Sequence, residues 1–156
     1  MPRIYNLCSH IQNSFRWRLK SVCVPENKSN LAILRVLYNE GFLASISRGS
    51  HLGPDTTPTP TIPANIATRR YWIELKYAQN EPVLKKMSVV SKPTIRHHMT
   101  VHQLTRIVSG AKVGIVKPLQ PGEIMIVSTN EGVMEAKEAL RRRVGGELLC
   151  RISREG

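Results

Sequence analysis

The chain has 156 residues, 41% of them apolar, enough for one domain or two small lobes with a buried core. It carries 23 Lys and Arg against 11 Asp and Glu, a formal net charge of +12, which points to a polyanionic partner and to nucleic acid first. No apolar run approaches membrane-spanning length, and Cys8, Cys23 and Cys150 form neither a disulfide framework nor a C-x-x-C metal motif.

Each cysteine is therefore expected to be a small buried apolar residue in a reducing compartment. The first 25 residues contain no acid. Ile4, Leu7, Cys8, Ile11, Phe15 and Leu19 fall near helical spacing beside Arg3, Arg16, Arg18 and Lys20, the pattern of a basic amphipathic helix. A mitochondrial transit peptide, the first helix of a folded domain and a membrane-surface helix all share that description. The reading taken is a retained structural helix that doubles as an address.

Ser21 to Val24 reads as a strand closed by Pro25, followed by a polar loop that includes Lys28. Ser29 or Asn30 is the expected N-cap of a second helix, with Leu31, Leu34, Leu37 and Tyr38 on its apolar side and Gly41 at its end. Arg48 to Thr68 then holds Pro54, Pro58, Pro60 and Pro63, with five threonines after Asp55. Proline at that density is expected to stay out of sheets, so the stretch reads as an exposed, passive loop, with docking to a neighbouring protein as the alternative. Tyr71, Ile73, Leu75 and Tyr77 alternate with polar neighbours as in a strand, and Trp72 reads as a packing residue before a base-stacking one.

Between Pro82 and Gly122 there is no acid, against Lys85, Lys86, Lys92, Arg96, Arg106, Lys112 and Lys117. This is the chain's electrostatic footprint. Val83–Val90 reads as a strand, Thr100–Ser109 as a short helix, and Val113–Val116 and Glu123–Val127 as strands. Ser128, Thr129, Asn130, Glu131 and Gly132 form a polar turn. The spacing of Val133, Met134, Ala136, Ala139, Leu140 and Val144 predicts a helix over Val133–Val144, capped near Gly132, with Glu135 in its first turn. Gly145-Gly146 stops that helix and Glu147–Ile152 is a second strand. In this reading the turn sits at the positive end of a helix dipole, where N–H groups and hydroxyls can meet phosphate or ribose.

Catalytic patterns are missing. His98 and His102 have the spacing of a helical metal pair, but Met99 stands where a zinc protease needs Glu. With His97 they read as weak RNA contacts or polar surface. There is no P-loop and no G-x-S-x-G, and Asp55 is the only aspartate. Glu135 with Lys137, and Glu138 with Arg141 or Arg142, read as surface charge balance on a helix. Among nucleic-acid binders, a free regulatory RNA-binding module and a metal-dependent nuclease are alternatives, and the nuclease would need clustered carboxylates.

The run Ile126-Val127-Ser128-Thr129-Asn130-Glu131-Gly132-Val133-Met134, with Gly145-Gly146-Glu147-Leu148-Leu149-Cys150, resembles the C-terminal signature of the small-subunit ribosomal protein number eight family. Asn39-Glu40-Gly41-Phe42 with Ile46, Glu74-Leu75-Lys76-Tyr77, and Ser91-Lys92-Pro93-Thr94-Ile95-Arg96 are similar to further family segments. Here Asn130 stands for Ser, Glu131 for a basic residue, Lys92 for Arg and Thr94 for Gly; Thr94 should hold the backbone to negative φ. Arg48–Thr68 looks like an insertion, and Arg96–Ser128 is longer than the bacterial family has.

The resemblance implies an α+β fold of two lobes. An N-terminal lobe, 1–80, would run helix, strand, helix, strand, strand, and a C-terminal RNA-binding lobe, 91–156, would be a mostly antiparallel sheet carrying the Val133–Val144 helix. It implies a structural, non-enzymatic component of the small subunit that binds the central domain of ribosomal RNA and supports assembly and translation. The RNA-binding residues implied are Lys28, Lys92, Arg96, Ser128, Thr129, Asn130, Gly132, Gly145, Gly146 and Glu147, with neighbouring small-subunit proteins as further partners. No cofactor, metal, membrane or small-molecule substrate is expected. The acid-free basic N-terminus and the two longer segments favour a mitochondrial ribosome.

Overall fold

The computed structural model describes residues 4–154; Arg3, counted above among the basic residues of the first helix, lies outside them. The fold is α+β. Helix α1 (Ile4–Arg16) buries Leu7, Cys8, Ile11 and Phe15, so its apolar stripe belongs to the core; Leu19, expected on that stripe, is exposed beyond the helix end. Strand β1 (Ser21–Pro25) leads to α2 (Lys28–Asn39). The N-cap of α2 is Asn27, whose side chain accepts from the Asn30 amide at 2.7 Å, not Ser29 or Asn30. Asn30 is instead buried, with its side-chain amide donating to the Pro25 carbonyl. Helix α2 turns Ile33, Leu34 and Leu37 inward and leaves Tyr38 half exposed. Gly41 ends it with φ 84, and the Gly41 and Phe42 amides return to Tyr38 and Leu37.

Strand β2 (Leu43–Ser50) and the two-residue β3 (Gly53–Pro54) form a hairpin that enters the proline-rich stretch. Pro54 does therefore join a sheet, on its edge strand, where its missing N–H is tolerated. A single 3-10 turn, Ile66–Thr68, precedes β4 (Arg69–Leu75). Strands β1, β4, β2 and β3 lie antiparallel in that order. Tyr71, Ile73 and Leu75 face the helices, as their alternation predicts, and the Trp72 indole donates to the Ser50 carbonyl at 2.8 Å. A short ribbon, β5 (Tyr77–Ala78) with β6 (Glu81–Pro82), follows.

The second sheet contains β7 (Lys86–Val89), β8 (His98–Met99), β9 (Glu123–Thr129), β10 (Gly132–Glu135) and β11 (Gly146–Ser153). Its order is β10, β9, β11, β7, all antiparallel, with β8 pairing the start of β11. Helix α3 (Val101–Val108) starts at a capping box between Thr100 and Gln103. Val113 and Val116 make one isolated bridge across a turn, not a strand. His98 lies in β8 and His102 in α3, so they do not share a helix face.

The predicted helix over Val133–Val144 is only α4 (Ala136–Arg141); Val133 and Met134 belong to β10. Two adjacent apolar residues can serve opposite faces of a strand as well as one face of a helix, and pairing with Ser128 and Val127 on β9 decides for the strand. The N-cap is Glu135, not Gly132, and its carboxylate accepts from the Lys137 amide. Helix α4 stops at Arg143, held at φ 57, before the glycine pair is reached.

Strand β9 reads out the core. Ile124 and Ile126 turn to the cluster built by α1, α2 and the first sheet, while Met125 and Val127 turn to a second cluster with α3 and α4. An irregularity in β11 between Leu148 and Cys150 lets Leu149 and Cys150 both face the first cluster. The Gln12 side chain accepts from the Met87 amide at 2.9 Å, capping part of the β7 edge from α1. Cys8 and Cys150 are buried, whereas Cys23 is only half-buried. The Cys150 thiol is pushed well up, first by its hydrogen bond with Cys8 and then by burial, so it stays protonated.

Candidate nucleic-acid interface

Ser128 continues the Ile124 and Ile126 face of β9, two residues further on, where the crevice between that face and helices α1 and α2 opens to solvent. The opening is a groove of ≈ 520 Å³. Its floor lies on a row across four strands, of which Val133, Ser128 and Glu147 line the groove. Val133 pairs with Ser128, Ser128 with Glu147, and Glu147 with His98. Cross-strand partners project to one face, so a hydroxyl and a carboxylate stand side by side there. One wall is the start of α1 and α2, with Tyr5, Ser29 and Asn30; the other is the segment carrying Lys92 and Arg96.

That segment is held by its own bonds. Lys92 and Ile95 exchange backbone hydrogen bonds at 2.7 and 3.1 Å, and the Ser91 hydroxyl accepts from the His97 amide at 2.9 Å. Thr94 sits in the turn without positive φ. Lys92 and Arg96 are exposed and have no ion-pair partner among the described residues. Lys28, the first residue of α2, is likewise exposed and without an ion-pair partner among the described residues, one position before Ser29 of the groove wall. Many other cations are engaged, Arg18 with Glu81, Arg69 with Asp55 and Arg151 with Glu123 among them. Lys92 and Arg96 differ from the other Lys and Arg without an ion pair in lining this groove beside Ser128 and Glu147.

Residues 129 to 132 form a β-hairpin turn, not a helix N-terminus. Gly132 supplies the positive φ of 119. Thr129 is committed to the turn: its hydroxyl donates to the Gly132 carbonyl at 2.8 Å and accepts from the Glu131 amide at 3.2 Å. Asn130 and Glu131 are exposed at the tip, and Glu131 pairs with Arg142 at 3.3 Å. Glu138 bridges Arg141 and Arg142, as its helical spacing predicts. Glu135 is not surface charge balance but a buried cap.

Gly145 and Gly146 are not among the residues that line the groove. A Cβ on either would collide with backbone, that of Met99 and Thr100 for Gly145 and that of Ser128 and Thr129 for Gly146. They let β8 and β9 close on β11 beneath the floor. The structure thus brings Lys92, Arg96, Ser128 and Glu147 together, puts Lys28 and the 129–132 hairpin beside them, and gives the two glycines a packing role. Tyr5, Ser29, Asn30 and Ser91 were missed; exposure of Tyr5 opposite the α1 stripe was the one signal available. Among the described residues no cluster of His, Cys, Asp or Glu could hold a metal ion, the requirement of the nuclease reading.

Comparison with known proteins gives one family. The family described as "Ribosomal protein S8" matches residues 3–153. The "Small ribosomal subunit protein uS8m" of Schizosaccharomyces pombe is 42% identical over 96% of this chain and 99% of its own length. Its Neurospora crassa counterpart is 42% identical over 97% and 98%. The bacterial "Small ribosomal subunit protein uS8" of Vesicomyosocius okutanii is 32% identical over 96% and 95%. The suffix in uS8m denotes the mitochondrial protein, and the family is structural and not enzymatic. This chain belongs to the ribosomal protein S8 family, as a mitochondrial small-subunit component.

Proposed function

We propose that the chain binds the central domain of the small-subunit ribosomal RNA through the groove between α1, α2 and the second sheet, and so supports subunit assembly. The observation that carries this reading is the meeting of two unpaired cations, Lys92 and Arg96, with Ser128 and Glu147 in one opening. The cations meet phosphates and set position. The hydroxyl and carboxylate on the floor meet ribose 2′-hydroxyls or base edges, which a lone basic patch cannot discriminate. Residues 1–80 and 91–156 act in this reading as two lobes that each supply one wall.

Titration of an RNA fragment from that domain at several salt concentrations tests it. Wild-type affinity falls steeply with salt. Lys92→Ala with Arg96→Ala weakens binding and flattens the log–log slope by roughly 0.7–0.9 for each phosphate no longer neutralised. Unchanged affinity and slope in that double variant would remove the groove as the interface.

A further inference from the structure

We propose that the proline- and threonine-rich insertion is a pre-ordered docking epitope for a neighbouring protein of the small subunit, one that presents an apolar socket to Leu52, Ile62 and Ile66. The inference rests on small-subunit membership and not on the RNA groove.

The segment is fastened down. Arg69, at the start of β4 and only 3% exposed, holds Asp55 at 2.7 Å and faces Glu26 at 3.7 Å. It also donates to the Thr59 carbonyl. Arg48 reaches Glu26 at 3.1 Å and the Thr61 hydroxyl, and Thr61 donates to the same Glu26 oxygen. Asn65 closes the far turn by accepting from the Ile62 amide at 2.8 Å and donating to the Pro60 carbonyl at 3.2 Å. At the near end the Trp72 ring lies so close to Gly49 that a Cβ there would stand 2.7 Å from it. A passive loop needs none of these ties.

What they hold outward is apolar. Leu52 is 85% exposed at the tip of the β2–β3 hairpin, and Ile66 and Ile62 are 63% and 47% exposed near the Asn65 turn. The segment's charge is equally telling. No Lys or Arg falls between Arg48 and Arg69, and the one acid, Asp55, is neutralised by Arg69. On a chain of net charge +12 this is a stretch without the Lys and Arg that neutralise phosphates. Exposed aliphatic anchors on a backbone already ordered suit a protein socket, because the ordering cost is met before binding.

The test uses the full chain in assembled mitochondrial small subunits. A photo-reactive phenylalanine analogue replaces Leu52 in one variant and Thr94, in the segment that walls the groove, in another. At position 52 we expect a ribonuclease-resistant adduct with one small-subunit protein. An RNA adduct there, or none while position 94 reacts, overturns the proposal. The exposed-site double variant Leu52→Asp with Ile66→Asp should bind the bare RNA fragment within about twofold of wild type, yet enter subunits roughly tenfold less well. Equal loss of RNA affinity, or undiminished entry, also overturns it. Failure of the wild type to bind the RNA would defeat the groove and leave the position-52 result standing.

Discussion

Gly146 on β11 lies against the backbone of Ser128 on β9 so closely that a built Cβ would stand 2.9 Å from the Ser128 carbonyl carbon and 3.1 Å from the Thr129 Cα, and nearer still to the carbonyl oxygen. The neighbouring pair, Glu147 with Ser128, forms the floor of the groove. A packing constraint on one residue therefore sets the height of the next.

Gly146→Ala is expected to cost about 1–3 kcal/mol of stability, because backbone and not a flexible side chain must give way. It should also lower affinity for the RNA fragment in protein that remains folded. Gly53→Ala is the contrast: it meets open space without positive φ, so it should be neutral or stabilise by roughly 0.4–1 kcal/mol. Thermal unfolding of both variants checks the pair; equal effects would refute the close-approach argument.

Ser128 and Thr129 separate in the same way. The Ser128 hydroxyl opens into the groove with no partner among the described residues, whereas Thr129 makes two bonds inside its hairpin. Ser128→Ala should leave the melting temperature unchanged and weaken RNA binding by about 1 kcal/mol, close to fivefold. Thr129→Val should cost about 1 kcal/mol of stability, the low end for two exposed hydrogen bonds. Melting curves and RNA titrations on the two single variants decide, and a swapped pattern would reverse the assignments.

Elements fixed by a local period were legible. The Tyr71, Ile73, Leu75 alternation, the α1 stripe and the Gly41 stop each depend on residues within one or two turns. What failed needed distant partners. Val133 and Met134 became strand through β9, and Asn30 was drawn from the cap to the Pro25 carbonyl. The ties of the insertion were hidden in the same way, because the residues that fix it, Glu26 and Arg69, lie outside it. Of the groove, the Lys92–Arg96 and Ser128 stretches were legible through the family resemblance, but the α1 and α2 wall exists only once the chain is folded.

The end of α4 makes a prediction that owes nothing to RNA. The Val144 amide returns to Ala139 and the Arg143 amide to Leu140, a helix stop that normally places glycine where Arg143 sits at φ 57. Arg143 is exposed and has no ion-pair partner among the described residues. Arg143→Gly should therefore stabilise the protein by about 0.5–1 kcal/mol, relief of the left-handed strain exceeding the added freedom of the unfolded chain. Arg18, with φ 58 at the end of α1, also donates to the Asn80 carbonyl and approaches Glu81. Arg18→Gly should gain less, or lose. Chemical denaturation of both variants measures the difference; a larger gain at position 18 would contradict it.

Glu135 carries a pH dependence of determined sign. It caps α4 from a site only 8% exposed, and one carboxylate oxygen finds no hydrogen-bond partner there. Burial raises its pKa above the ordinary value of 4.5, Glu40 adds to the rise, and the Lys137 amide opposes it without prevailing. The folded state then holds this proton more tightly than the unfolded state. The stability contributed is complete below the unfolded value and is lost as pH rises through the higher folded one. Above that folded value the buried charge is a net cost. Glu135→Gln keeps an acceptor for the Lys137 amide and removes the charge, so the variant should be more stable than wild type at pH 7. That advantage should shrink toward pH 4, where wild-type Glu135 is protonated. Unfolding midpoints for both proteins between pH 4 and 8 provide the check, and a Gln variant that gains nothing at pH 7, or gains most at pH 4, would show that the cap outweighs the burial.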